Sequence, residues 1–144
     1  MWRIVKATGI TVFLLACSAQ DIKEKKISVK ILILAGVLLP AMSLLFDEMP
    51  GTERLYGMLP GMTAFLLALL TKEGIGYGDA AVLAILGTAV SGRSLFGALV
   101  RGLILLSICS MILLAGKRVN RKTTLPFLPF LSAGMLWQVL SDSV

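Results

Sequence analysis

Long apolar stretches alternate with short polar ones along the whole chain, and this pattern predicts six helices embedded in a membrane. A helix needs about 20 apolar residues to cross the hydrocarbon core, and most of the apolar stretches approach that length. They cover residues 4–20, 31–46, 55–71, 75–92, 94–116 and 123–141. The predicted fold is therefore all-α, a polytopic bundle of six transmembrane helices forming a single domain over residues 1–144.

The fourth stretch has the shortest uncharged run and is the most informative. Only 13 uncharged residues separate Asp79 from Arg93, too few to span the hydrocarbon core. The helix is therefore predicted to extend backwards over residues 75–79. Asp79 would then lie about one helical turn inside the membrane boundary, where an acid is costly to keep without a function.

Composition excludes a soluble domain, because 57% of the 144 residues are hydrophobic. The net charge of +6 is interpreted loop by loop, since Lys and Arg in short loops set membrane orientation. Nine basic residues fall on one side and four on the other, or five if Arg101 extends outward to the lipid headgroups, as we expect. Both termini should then lie outside, with Asp21 and Asp79 at the cytoplasmic face, and nucleic acid is not implied.

The first stretch has an alternative interpretation as a secretory signal. Arg3 and Lys6 precede an apolar run that ends in Leu-Leu-Ala-Cys17, which is similar to a lipoprotein cleavage site. Four lysines follow within 13 residues, however, and outnumber the two basic residues before the run. This bias favours a transmembrane helix whose downstream end stays in the cytoplasm.

The chemistry open to this chain is limited, because it contains no His. Cys17 and Cys109 lie within apolar stretches without metal-ligand spacing, so no metal or other cofactor is expected. Asp21 ends the first apolar stretch and Asp79 opens the fourth, which would place both carboxyl groups at one face of the membrane. If the two helices are neighbours, such a pair could share one proton and hydrolyse a peptide bond as general acid and general base.

Each acid alone has a simpler interpretation. Asp79 could be a helix N-cap, and Asp21 could be a solvated loop acid like Glu24 and Glu73. The pair could also serve a small transport or channel protein as proton or cation sites, or the chain could be a non-catalytic scaffold of a secretion assembly. Gly57, Gly61 and Gly87 are interpreted as sites of close helix packing.

Three motifs together resemble those of the type IV prepilin peptidases, the GxGD membrane aspartyl proteases. They are Gly76-Tyr77-Gly78-Asp79 before a helix of small residues, Asp21 with Ile27 six residues later, and Pro126-Phe127-Leu128-Pro129-Phe130 at the last helix. The resemblance implies an aspartic endopeptidase with Asp21 and Asp79 as catalytic residues. Gly76, Gly78, Pro126, Phe127 and Pro129 would support the motifs.

The resemblance further implies that a basic leader is removed from prepilin- or preflagellin-like precursors at the cytoplasmic face of the plasma membrane. The expected partners are such a precursor, with its hydrophobic helix, and the lipid bilayer. This chain departs from the family pattern at Ser28, Val29, Ala81 and Leu128. Paired CxxC motifs tied to N-methylation in larger relatives are absent from the sequence, so a peptidase without methyltransferase activity is expected.

Overall fold

Six α-helices build the structure, a computed structural model that describes residues 1–24, 27–46, 49–71, 76–118 and 125–143. No strand occurs within these ranges, so the predicted all-α fold is confirmed. The helices are α1 (Trp2–Glu24), α2 (Val29–Phe46), α3 (Gly51–Leu70), α4 (Tyr77–Ala89), α5 (Gly92–Ala115) and α6 (Leu128–Ser143).

Two helix ends differ from the predicted positions in ways that affect the acids and the proline motif. Helix α1 continues four residues beyond its predicted end, so Asp21 lies inside the helix and not in a loop. Helix α6 begins at Leu128, because Pro126 has no N–H and restricts the residue before it to extended backbone. Pro129 is tolerated because the first turn of a helix needs no donor from it.

Helix α4 is shorter than predicted. It extends backwards only to Tyr77 and ends at Ala89, because the backbone is extended at Gly76 and at Val90. Its 13 residues span about 20 Å, whereas the hydrocarbon core is about 30 Å thick. The deficit is tolerated because α4 packs against both α2 and α3, and non-helical backbone is allowed at membrane depth where protein covers it.

Three of the six helices are long and apolar enough to cross a membrane, within the ranges that the structure describes. They are Arg3–Glu24 of α1, Val29–Phe46 and Gly92–Ala115. Helices α4 and α6 have only 13 and 16 residues, so hydropathy and length alone do not identify them as spans. The bundle is that of an all-α membrane protein.

The two ends of the bundle are distinguished by their contacts. At the aspartate end, α1 finishes and α6 begins, and the Leu128 N–H donates to Asp21 Oδ2 at 3.4 Å. At the opposite end, α5 begins beside the first turns of α3, where Gly92 lies against Tyr56 and Gly57. Consecutive helices therefore run in alternating directions.

Close packing of α3 on α4 depends on glycines, as the sequence indicated. A Cβ atom at Gly57 would collide with the carbonyl oxygen of Gly87, and one at Gly61 would collide with the backbone of Ala84. A Cβ at Gly87 would in turn collide with Gly57. This glycine contact, formed by Gly57, Gly61 and Gly87, fixes the position of the helix that carries Asp79.

Candidate active site

A cavity of about 1030 Å³ reaches from the aspartate end of the bundle to Tyr56 and Gly92 near the start of α3 and α5. Asp21 and Asp79 both line it, together with Gly76, Pro126 and Phe127. The structure thus brings five of the seven site residues singled out in the sequence to one cavity. They come from α1, from α4 and from the residue before it, and from the segment just before α6.

Asp21 lies in the last turn and a half of α1 and is only 9% exposed. The interpretation as a solvated loop acid is therefore wrong. Its Oδ2 accepts a hydrogen bond from the Leu128 N–H, the first backbone N–H of α6. Because the first N–H groups of a helix have no partner within the helix and carry partial positive charge, they form a suitable site for a carboxylate.

Asp79 is the third residue of α4 and is partly buried. It is not the N-cap, since Gly76 occupies that position with extended backbone. A Cβ atom at Gly76 would lie 3.5 Å from Asp79 Oδ2, in contact with the carboxyl group. This is an ordinary van der Waals distance, so the space beside the acid would accept a Cβ atom.

Asp21 and Asp79 bring two carboxyl groups to one cavity. Two carboxyl groups that hold one proton between them can act together, one as general base and the other as general acid. The arrangement can activate a water molecule and protonate a carbonyl oxygen in the same cavity.

Ile27, which lies just before α2, packs onto the GxGD motif. A Cβ atom at Gly78 would lie 2.8 Å from Ile27 Cδ1, so the second glycine of the motif makes room for this side chain. The Ser28 N–H donates to Gln20 Oε1 at 2.9 Å, which ties the start of α2 back to α1. In the sequence, Ile27 was singled out by its spacing of six residues from Asp21. The structure shows in addition that the side chain of Ile27 lies against Gly78.

Tyr77 attaches the start of α4 to α3. Its ring meets that of Phe65 edge to face, with centroids 6.2 Å apart. Of the neighbouring acids, Glu24 is exposed at the end of α1, as expected of a surface charge, and Glu73 lies outside the described residues.

Two of the four departures from the family pattern have defined structural roles here. The backbone of Ser28 makes the hydrogen bond to Gln20, and Leu128 both donates to Asp21 and buries its side chain completely. Leu128 therefore joins the hydrophobic core to the site.

A second polar cluster, which the sequence did not indicate, lies between α5 and α6. Arg101 donates through NH1 to Gln138 Oε1, and Gln138 Nε2 donates to Asp142 at 3.0 and 3.2 Å. The structure adds a protein partner to the expected position of Arg101, because its half-buried guanidinium donates to Gln138 on α6. No spacing rule pairs residues 37 positions apart, so only the fold shows this cluster.

Comparison with known proteins agrees with the site. No curated protein and no solved structure matches the chain. The sequence profile of the type IV leader peptidase family matches residues 9–116, about three quarters of the chain, and this range includes both aspartates and the GxGD motif. The cavity with its two acids thus lies in a protease fold, and the chain belongs to the type IV leader peptidase family.

Proposed function

We propose that the protein is an aspartic endopeptidase that removes the basic leader from type IV pilin-like precursors at the cytoplasmic face of the plasma membrane. The observation that carries this proposal is the position of Asp21 and Asp79 on one cavity within a leader peptidase fold. The matched range ends before α6, yet the Pro126-Phe127 segment lines the same cavity, so the last helix is part of the proposed site.

Peptide hydrolysis by the pair requires no covalent intermediate. The ionised carboxylate takes a proton from water, and the resulting hydroxide attacks the scissile carbonyl carbon while the neutral carboxyl protonates the carbonyl oxygen. A tetrahedral diol then collapses as the C–N bond breaks. The leaving amine takes one proton from the neutral carboxyl while the ionised carboxylate takes one from a hydroxyl of the diol, so the pair returns to its singly protonated state.

The Leu128 N–H supports this chemistry by fixing Asp21. A backbone donor at the start of a helix costs little to reorganise during the reaction, and its hydrogen bond to a carboxylate is charge-assisted. Asp79 is fixed differently, through the glycine contact between α3 and α4. The two acids are thus held by separate helix pairs, and the cavity lies between them.

The proposed orientation of the site in the membrane is inferred from the charges of the loops. Lys23 and Lys30 flank the connection after α1, and Lys117 and Arg118 follow α5, so the aspartate end is the basic end of the bundle. Basic loops generally remain in the cytoplasm, and this supports cleavage at the cytoplasmic face. The expected substrate is a pilin-like precursor with a basic leader ahead of a hydrophobic helix, and no methyl transfer is expected.

Incubating the purified protein with such a precursor tests the proposal directly. A shortened product, identified by mass at a cut just before the hydrophobic helix, is the expected result. The transport alternative predicts an ion flux in liposomes and an intact precursor. An intact precursor under conditions in which the protein remains folded would refute the proposed function.

A further inference from the structure

The two acids of the candidate site lie on helices that pack chiefly against other helices. Helix α1, which carries Asp21, packs mainly against α6, and α4, which carries Asp79, packs mainly against α3 and α2. Helix α2 contacts both α1 and α4. Because α2 follows directly after the end of α1, its first residues lie at the aspartate end, where they can connect the two acids.

Gln20, the residue before Asp21, reaches the start of α2. Its Oε1 accepts a hydrogen bond from the Ser28 N–H at 2.9 Å. The Ser28 carbonyl oxygen accepts in turn from the N–H groups of Ile31 and Leu32, at 3.1 and 3.2 Å, so Ser28 begins the hydrogen bonding of α2. The side chain of Gln20 therefore ties the start of α2 to the end of α1.

Ile27 continues this connection to the second acid. It precedes Ser28 in the chain, and its side chain lies against Gly78, where a Cβ atom would lie 2.8 Å from Ile27 Cδ1 and 3.3 Å from Cγ1. Gly78 directly precedes Asp79. The hydrogen bond and this contact form a bridge through Gln20, Ser28, Ile27 and Gly78, with one acid next to each end. We call it the Gln20–Gly78 bridge.

We propose that Gln20 is a positioning residue, which sets Asp79 relative to Asp21 through the Gln20–Gly78 bridge. This inference rests on the proposed function, because it concerns the geometry of that reaction. Gln20 is not among the described residues that line the cavity, so it acts through its neighbours and not on the substrate. A displacement of about 1 Å in a reacting group can slow an enzyme about 100-fold, so a bridge between two acids that act together affects kcat.

A double-mutant cycle in the free energy of unfolding tests the bridge without substrate. Gly78→Ala crowds Ile27 only while Ile27 is held against position 78. Gln20→Met keeps the length of the side chain but removes the acceptor for the Ser28 N–H, so Ile27 is freed to move. Gly78→Ala should therefore cost less stability in the Gln20→Met protein than in wild type. Equal costs in the two proteins would overturn the inference.

Cleavage kinetics test the role of Gln20 in the reaction. Gln20→Met should lower kcat about tenfold and leave KM within about twofold of wild type, because the bridge affects the acids and not substrate binding. The matched control is Gln138→Met, which removes a side-chain hydrogen bond at the opposite end of the bundle and should leave kcat per folded molecule unchanged.

Two results of the kinetic test would overturn the inference. They are equal kcat values for Gln20→Met and Gln138→Met, and a rise in KM with kcat retained in Gln20→Met. Failure of the proposed function is a different result, namely an intact precursor with the wild-type protein, and the double-mutant cycle in unfolding would then still decide whether the bridge exists.

Discussion

The two ends of this bundle both keep charged side chains among apolar helices, but they do so in opposite ways. At the opposite end, Arg101 is joined through Gln138 to Asp142, so a cation and an anion belong to one hydrogen-bonded chain. At the aspartate end, Asp21 and Asp79 carry the same sign and line one cavity. Opposite charges joined by hydrogen bonds stabilise a fold, whereas like charges around a cavity favour chemistry at a cost in stability.

Removing either acid should have the largest effect. Asp21→Asn and Asp79→Asn each delete a group that must exchange a proton, so cleavage should slow about 10²–10⁴-fold. The thermal unfolding temperature should stay the same or rise, because like-charge repulsion is relieved. Cleavage assays and differential scanning fluorimetry on the same samples measure both.

The matched control for these variants is Glu24→Gln, since Glu24 is an exposed acid one turn beyond Asp21 on the same helix. Its cleavage rate should remain close to that of wild type. A loss as large as that of Asp21→Asn would mean that general loss of negative charge, and not the pair, limits the reaction.

The pH dependence separates a shared proton from two independent acids. At low pH both carboxyl groups are protonated and no base remains; at high pH both are ionised and no acid remains. The cleavage rate should therefore fall on both sides of an optimum, by about tenfold per pH unit on each limb. A rate that is constant from strongly acid to strongly alkaline solution would contradict the shared proton.

The glycine contact should matter more for stability than any polar group. Gly87→Ala places a methyl group onto the backbone of Gly57, which should cost about 1–3 kcal/mol and displace the helix that carries Asp79. Gly9→Ala is the control, because a Cβ at Gly9 meets nothing within 4 Å and alanine favours a helix by about 0.5–1 kcal/mol. Equal unfolding temperatures for the two variants would contradict this contact.

The polar cluster at the opposite end should contribute to stability alone. Arg101→Met removes the donor to Gln138 and should lower the free energy of unfolding by about 1 kcal/mol, the scale of hydrogen bonds between membrane helices. Cleavage per folded molecule should be unchanged. A fall in kcat at constant stability would show that the polar cluster contributes to catalysis, and would contradict its assignment to stability alone.

The contact of Gly78 with Ile27 should show the smallest effect. Gly78→Ala crowds a flexible side chain, so the expected loss of stability or KM is about 0.5–1 kcal/mol. Adding Ile27→Ala to Gly78→Ala should recover part of this loss, because the smaller side chain at position 27 leaves room for the methyl group of Ala at position 78. A double-mutant cycle measures this coupling. Strictly additive free-energy changes for the two substitutions would show that the two side chains do not interact.

The sequence was sufficient for the number of helices and for the placement of both acids at one end. Hydropathy and loop charge carry that information, since each is a local property of the chain. The length of α4 was predicted wrongly because hydropathy does not distinguish a helix that spans lipid from a short one covered by its neighbours.

The surroundings of the acids could not be predicted from local patterns. The donor to Asp21 is 107 residues away in the chain, at Leu128, and Gln138 is 37 residues away from Arg101, on the next helix. Such contacts depend on which helices become neighbours. Only the resemblance to a family indicated that the proline segment before α6 belongs near the acids.

The central claim is that Asp21 and Asp79 act as one unit, and a double-mutant cycle in precursor cleavage tests it most directly. If the two acids share a single proton-transfer function, Asp21→Asn combined with Asp79→Asn should be no slower than the slower single variant, because either substitution already removes that function. Losses that multiply in the double variant would show two independent contributions and would contradict the account.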